Sequence, residues 1–297
     1  MSDQPFVDRL EQARVERHTV LCVGLDPRLE RIPEALHQAA GGDTQAVLEG
    51  FGRTVLRAAG PHAACVKPQV AFFECHGLPG LRAYATLVGE ARAAGIPVLG
   101  DVKRGDIGST AAAYAQAHLA PGADFEVDAI TINPYLGDDS LAPFIEAAAE
   151  HGKGLYILVR TSNPGAADFQ ERTLEDARLF ERVADHVARL GSAHRSDATG
   201  LSCVGAVVGA TSPEALAALR ARMPDVPFLV PGYGAQGATA ADVRAGYRPD
   251  GSGAVVNASR SINFPADTAS ATADAYEMAV AQAAVAAKED LYGALVN

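Results

Sequence analysis

The sequence has no run of about 18 apolar residues, so no segment is expected to cross a membrane as a helix. Basic residues are outnumbered: 25 Lys and Arg stand against 36 Asp and Glu, a formal charge of −11. So acidic a chain has no bulk field for coating nucleic acid or an anionic membrane, although a small phosphorylated ligand needs only a few local donors. Cysteine is sparse, and Cys22, Cys65, Cys75 and Cys203 include no pair at zinc-knuckle or Cys-x-x-Cys spacing. Three lie in or beside apolar runs and read as buried thiols of a reducing compartment. Cys75-His76 is the one adjacent pair with metal-ligand chemistry, and it lacks two further ligands at sensible spacing. Tryptophan is absent, which excludes nothing. The first residues, Met1-Ser2-Asp3-Gln4-Pro5, are polar with no apolar stretch behind them, so a cytoplasmic location is expected.

What is present is a repeating alternation. Short apolar runs occur at Thr19–Leu25, Ala64–Lys67, Pro97–Val102, Ala129–Ile132, Leu155–Val159, Val204–Val208, Pro227–Val230 and Ala254–Val256. Most are continuous rather than alternating, as parallel strands covered on both faces must be. Helical patterns lie between or beside them: Phe6–Arg17, Leu81–Ala94, Ser140–Ala149, Leu174–Leu190, Pro213–Arg222 and Ala266–Leu295, with another beginning near Gly108. Eight strand–helix alternations over 297 residues, with no linker rich in Pro, Gly or Ser, predict an α/β fold: a single (β/α)8 barrel over 1–297 with an N-terminal helix across its bottom and a helical tail. An open doubly wound sheet is the competitor, but Gly24-Leu25-Asp26-Pro27 after the first strand is no dinucleotide loop.

A barrel places function at the C-terminal ends of its strands. The polar residues there are Asp26, Lys67, Asp101, Lys103, Ser162, Gln236 and Arg260. On a regular strand Asp101 and Lys103 share a face, and Lys67 on the neighbouring strand can meet Asp101 laterally. Each carboxylate then holds its lysines protonated, and each lysine its carboxylates ionised. A structural ion pair is the bland alternative. Asp106, on the loop after Gly105, can join the array or cap the helix near Gly108. Asp26 can bind a ligand or merely make an Asp-Pro turn, and Ser162 can bind or make a turn in Ser162-Asn163-Pro164-Gly165. Gly232, Gly234 and Gly237 permit close backbone approach near Gln236, and Arg260 can clamp a phosphate bidentately.

The stretch Asp101-Val102-Lys103-Arg104-Gly105-Asp106-Ile107-Gly108-Ser109-Thr110 resembles the signature of the orotidine 5′-phosphate decarboxylase family. Val23-Gly24-Leu25-Asp26, Thr161–Ala166, Pro231–Gly237 and Ser259-Arg260-Ser261-Ile262 match in order, and the length resembles the family's longer bacterial branch. Tyr233 and Ala238 depart from the pattern in the phosphate loop, and the helix after the fifth strand is longer than in compact members. The resemblance implies a barrel that decarboxylates a pyrimidine nucleotide with no cofactor and no metal. It implies that Lys103 donates the proton, with Asp101 beside the departing carboxylate and Lys67 and Asp106 holding the array. It further implies Asp26 on the ribose, Ser162 on the pyrimidine, Gln236 and Arg260 on the phosphate, and a homodimer into which Asp106, Ile107 and Thr110 reach from the partner. The related magnesium-dependent sugar-phosphate decarboxylases share Asp-x-Lys-x-x-Asp but carry a carboxylate on the second strand where this chain has Lys67, a poor magnesium ligand. A Schiff-base aldolase would need an uncharged lysine, which flanking aspartates oppose. A phosphosugar-binding barrel without chemistry would keep Gln236 and Arg260 but need not keep the charged array.

Overall fold

The computed structural model describes residues 4–210, 212–234, 237–265 and 268–296. Its main sheet has eight parallel strands: β1 Leu21–Leu25, β2 Cys65–Pro68, β3 Leu99–Arg104, β4 Ala129–Ile132, β5 Gly154–Arg160, β6 Val204–Val208, β7 Phe228–Val230 and β8 Ala254–Ala258. Their order in space is β2-β1-β8-β7-β6-β5-β4-β3. Parallel bridges Val66–Val98 and Gln69–Asp101 join the two ends, and the Val66 N–H donates to the Pro97 carbonyl at 2.9 Å. The sheet is therefore a closed (β/α)8 barrel with no free edge.

Continuous apolar strands arise because both faces are buried. Along β7, Phe228 and Val230 face the outer layer with Phe51, Leu87, Phe144 and Phe180. Leu229 faces inward with Cys22, Cys65, Leu99, Ala129, Tyr156 and Val255. Phe6 and Leu10 of the helix Phe6–Glu16 complete that inner cluster and close the barrel bottom, Phe6 meeting Tyr156 edge-on at 6.4 Å. Gly154 is required there, since a Cβ would lie 2.4 Å from the Phe6 ring.

The helices Gly77–Ala93, Gly108–Leu119, Asp138–Glu150 and Pro213–Arg222 lie where the pattern placed them, within a turn at their ends. The segment read as a helix from Leu174 differs. Residues 173–174 and 177–178 form a small antiparallel ribbon, and the helix is Leu179–Gly191. Glu175 takes a left-handed turn at φ 58°, which breaks the apparent periodicity. The Arg178 N–H then donates to Glu181 at 2.8 Å and starts the helix. The tail helix is Ala273–Val296 rather than beginning at 266; a turn at 268–271 precedes it and the Thr272 hydroxyl accepts from the Ala275 N–H. The helix Thr44–Ala59, capped by Asp43 on the Ala46 N–H at 2.7 Å, was not singled out from sequence. Cys203 is half-buried rather than buried. Among the described residues no helix is long and apolar enough to cross a membrane.

Candidate active site

At the C-terminal ends of β2, β3 and β4 one carboxylate gathers four donors. Asp101 Oδ2 accepts from Lys67 Nζ at 2.8 Å and Gln69 Nε2 at 2.8 Å; Oδ1 accepts from Lys103 Nζ at 2.5 Å and the Thr131 hydroxyl at 2.8 Å. Asp101 and Lys67 are each 5% exposed, whereas Lys103 is open to the mouth. Burial alone would push the Asp101 carboxyl up, but Lys67 and then Lys103 hold it well below the usual carboxylate range. Burial alone would push the Lys67 ammonium down, but Asp101 and then Asp26 keep it above its ordinary value. Both groups are thus fixed in their charged forms.

Asp101 and Lys103 meet, but not as alternate residues of a regular strand. The β3–β4 register shifts between Gly100, opposite Ile130, and Arg104, opposite Ile132. Within that bulge Lys103 has φ 45°. A left-handed lysine costs about 1–2 kcal/mol and persists only where its surroundings hold it.

Asp106 departs from expectation within one chain. Its Oδ1 accepts from the adjacent Ile107 N–H at 2.8 Å, and among the described residues it makes no contact with Lys67 or Lys103. Nor does its side chain cap the helix Gly108–Leu119, whose cap position is Ile107. Ile107 and Thr110 are exposed beside it.

Two adjoining cavities open at this end. One of about 310 Å³ is lined by Lys67, Asp101, Lys103, Thr131, Thr161, Ser162 and Asn163 among others. The other, about 180 Å³, is lined by Asp26, Arg28, Gly232, Tyr233, Ser259, Arg260 and Asn263. Pro231 and Asn257 line both, so the charged array and Arg260 sit in one groove. Arg260 opens the short helix Arg260–Asn263, is exposed, and has no partner among the described residues. Asp26 is held by its backbone: its N–H donates to Asn263 Oδ1 at 2.8 Å, and Asn263 Nδ2 donates to the Gly24 carbonyl at 2.7 Å. Its buried Oδ1 is an acceptor with no hydrogen-bond partner among the described residues. Gly24 lets β8 approach, since a Cβ would lie 1.8 Å from the Ser259 hydroxyl. Gln236 lies outside the described residues.

Gln69, Thr131, Asn257 and Asn263 were not among the sequence candidates. Asn263 directly follows the quoted Ser259–Ile262 block, and Thr131 sits in β4 beside the Asp101 position. Among the described residues no group of three or more His, Cys, Asp or Glu side chains is placed to hold a metal ion. A larger depression of about 690 Å³ lies at the opposite end, where several of the lining charges pair: Arg9 with Asp128 at 2.8 Å, and Arg92 and Lys153 with Glu126 at 2.5 and 2.7 Å.

Behind β3, Arg104 pairs with Glu74 and lies over the Tyr114 ring. Burial, and then the Arg104 charge, push the nearby His118 imidazole down to about 4. Unfolding restores its ordinary 6.5, so between those values the unfolded chain binds the extra proton and stability falls with falling pH. His118→Phe should therefore flatten the stability profile between about pH 6.5 and 4, a window over which the wild type loses about 3 kcal/mol through this group. Denaturant midpoints at a series of pH values would show it; an unchanged slope would rule out a buried neutral His118.

The fold and groove define an α/β-barrel protein whose charged array shares one strand-end groove with Arg260, a guanidinium without a partner among the described residues. The family model described as orotidine 5′-phosphate decarboxylase / HUMPS family matches residues 19–276. An orotidine 5′-phosphate decarboxylase of Deinococcus radiodurans is 43% identical over 291 residues, 98% of each chain. One from Rhodopirellula baltica is 43% identical over 267 residues, 87% of this chain and 88% of that one. The solved structure of Leishmania donovani OMP decarboxylase superposes with a TM-score of 0.79 at 35% identity, covering 99% of this chain and all of the other. The chain belongs to the orotidine 5′-phosphate decarboxylase / HUMPS family.

Proposed function

We propose that this chain decarboxylates orotidine 5′-phosphate to uridine 5′-phosphate and CO2, a step of pyrimidine nucleotide biosynthesis, in the cytoplasm and without a cofactor. The observation that carries the reading is an ionised Asp101 carboxylate and the Lys103 ammonium, 2.5 Å apart, in one groove with Arg260. The bond from C6 to the substrate carboxylate breaks with its electron pair left at C6. Lys103 stabilises that carbanion and gives it a proton, and solvent reprotonates the amine. Asp101 lies beside the departing carboxylate and keeps Lys103 aimed. Lys67 holds Asp101 charged. Asp26 takes a ribose hydroxyl on its Oδ1, which has no partner among the described residues; Ser162 takes the pyrimidine, and Arg260 with Gln236 the phosphate.

Lys67, not a carboxylate, stands at the end of β2, and it and three neighbouring donors, Gln69, Lys103 and Thr131, already occupy Asp101, which favours this reading over the magnesium-dependent relatives. Incubating the purified protein with orotidine 5′-phosphate should give CO2 with loss of orotate absorbance; no turnover would overturn the reading.

The working form is a homodimer in which Asp106, Ile107 and Thr110 complete the partner's site. The exposure of Ile107 and Thr110, and the absence of an Asp106 contact to either lysine among the described residues of one chain, support it. Lys103→Ala and Asp106→Ala chains, each inactive alone, should recover about a quarter of wild-type activity when mixed and reassociated, because half the dimers are mixed and one of their two sites is intact. Mixtures no more active than their parents would place Asp106 in its own chain's site.

A further inference from the structure

We propose that Thr131 is a positioning residue for this reaction: its one hydroxyl fixes both the Asp101 carboxylate and the Lys103 backbone, and thereby sets where the Lys103 ammonium sits. The inference rests on the reading of Lys103 as the proton donor.

Between Gly100 and Arg104 four steps of β3 run against two steps of β4, from Ile130 to Ile132. Asp101, Val102 and Lys103 therefore face a single β4 residue, Thr131. A regular ladder has no carbonyl in register for the Lys103 N–H, and the Thr131 Oγ1 accepts it instead, at 3.0 Å. The same oxygen donates its hydrogen to Asp101 Oδ1 at 2.8 Å, the oxygen that also accepts from Lys103 Nζ at 2.5 Å. A hydroxyl has one hydrogen to give and lone pairs to accept with, so it closes the loop from the Lys103 main chain through Asp101 to the Lys103 side chain.

Lys103 needs such a hold, because φ 45° is a region that a lysine rarely adopts. Beyond it the chain re-enters the ladder, where the Asn133 N–H donates to the Arg104 carbonyl at 2.9 Å. That contact anchors the far side of the bulge but does not touch the array. Thr131 does both, and it is fully buried, so no water competes for its hydroxyl. Thr131→Val keeps the volume and the β-branching and deletes only the hydroxyl. Thr131→Ser keeps the hydroxyl.

The test measures three variables in wild type, Thr131→Val and Thr131→Ser, with a thermal melt to show that each variant folds. Thr131→Val should lower kcat about 30-fold, leave uridine 5′-phosphate affinity within about threefold, and speed amide hydrogen exchange in the peptide carrying Lys103. Thr131→Ser should restore kcat to within about threefold and restore the slow exchange. Equal kcat in Val and wild type, equal losses in Val and Ser, or a kcat loss matched by lost product affinity would each overturn the proposal. If Thr131→Val does not fold, Thr131→Ala deletes the same hydroxyl with less bulk; if neither folds, the residue is structural and the proposal fails. A wild type that does not turn over orotidine 5′-phosphate would sink the functional reading instead, and the exchange measurement would still decide whether the hydroxyl holds Lys103.

Discussion

Replacing Lys103 by alanine should cut turnover by about 10⁴-fold or more while leaving uridine 5′-phosphate bound within a few-fold of wild-type affinity. Two effects act through one ammonium: proton donation, typically worth about 10²–10⁴, and electrostatic stabilisation of the carbanion, about 10²–10³ per donor. Binding should survive because Arg260 and Asp26, the residues proposed for the phosphate and ribose, line the other part of the groove. Folding survives as well. Lys103 is the exposed member of the array, and Asp101 keeps Lys67, Gln69 and Thr131. A half-exposed pair contributes at most about 1 kcal/mol. Turnover, a calorimetric titration with the product and a melt would check the three parts. A variant retaining more than about a tenth of the activity would contradict the proton-donor role.

Asp101→Asn should damage stability and chemistry together, and the contrast with Lys103→Ala is informative. Lys67 is buried, and its ammonium stays charged because Asp101 offsets the cost of burial. Removing that counter-charge strips the buried cation of its nearest partner and leaves only the weaker attraction of Asp26 among the described carboxylates, which costs about 3 kcal/mol. The amide also turns one of its two ends into a donor, facing either Lys67 and Gln69 or Lys103 and Thr131, which are donors themselves. Turnover should fall at least about 10³-fold, since Lys103 loses the acceptor that aims it. The sign of the pH effect follows from the depressed Asp101 pKa. Its contribution is present above the ordinary carboxylate value of 3.8 and is lost as pH falls below it, so the variant should lose that share of the acid sensitivity. Urea midpoints at pH 7 and at about pH 3 would measure both effects. A variant as stable as wild type at pH 7 would mean that Lys67 is not held charged by Asp101.

The barrel and the heart of the groove were legible because strand ends in a closed barrel converge whatever the details of register. Lys67 and Asp101 needed only to end adjacent strands. The bulge was not legible. Asp-Val-Lys satisfies a period of two on paper, and no glycine marks the left-handed position that Lys103 takes. Thr131 was hidden for a related reason: in Ala129-Ile130-Thr131-Ile132 it reads as an ordinary β-branched strand residue until the register shift sets it against three residues at once. The helix beginning at 179 was misjudged from Leu174 because side-chain periodicity cannot register one left-handed residue, Glu175. Asp106 belongs to a different category. Its expected place depends on a second chain, and among the described residues of one chain its carboxylate accepts from the Ile107 N–H.

The most direct measurement of the account is turnover of orotidine 5′-phosphate by the purified protein in excess chelator. A Lys67–Asp101–Lys103 site that works through its own charges should run at its full rate there. Loss of turnover in chelator, with recovery on adding magnesium, would contradict it and place the chain with the metal-dependent branch of its family.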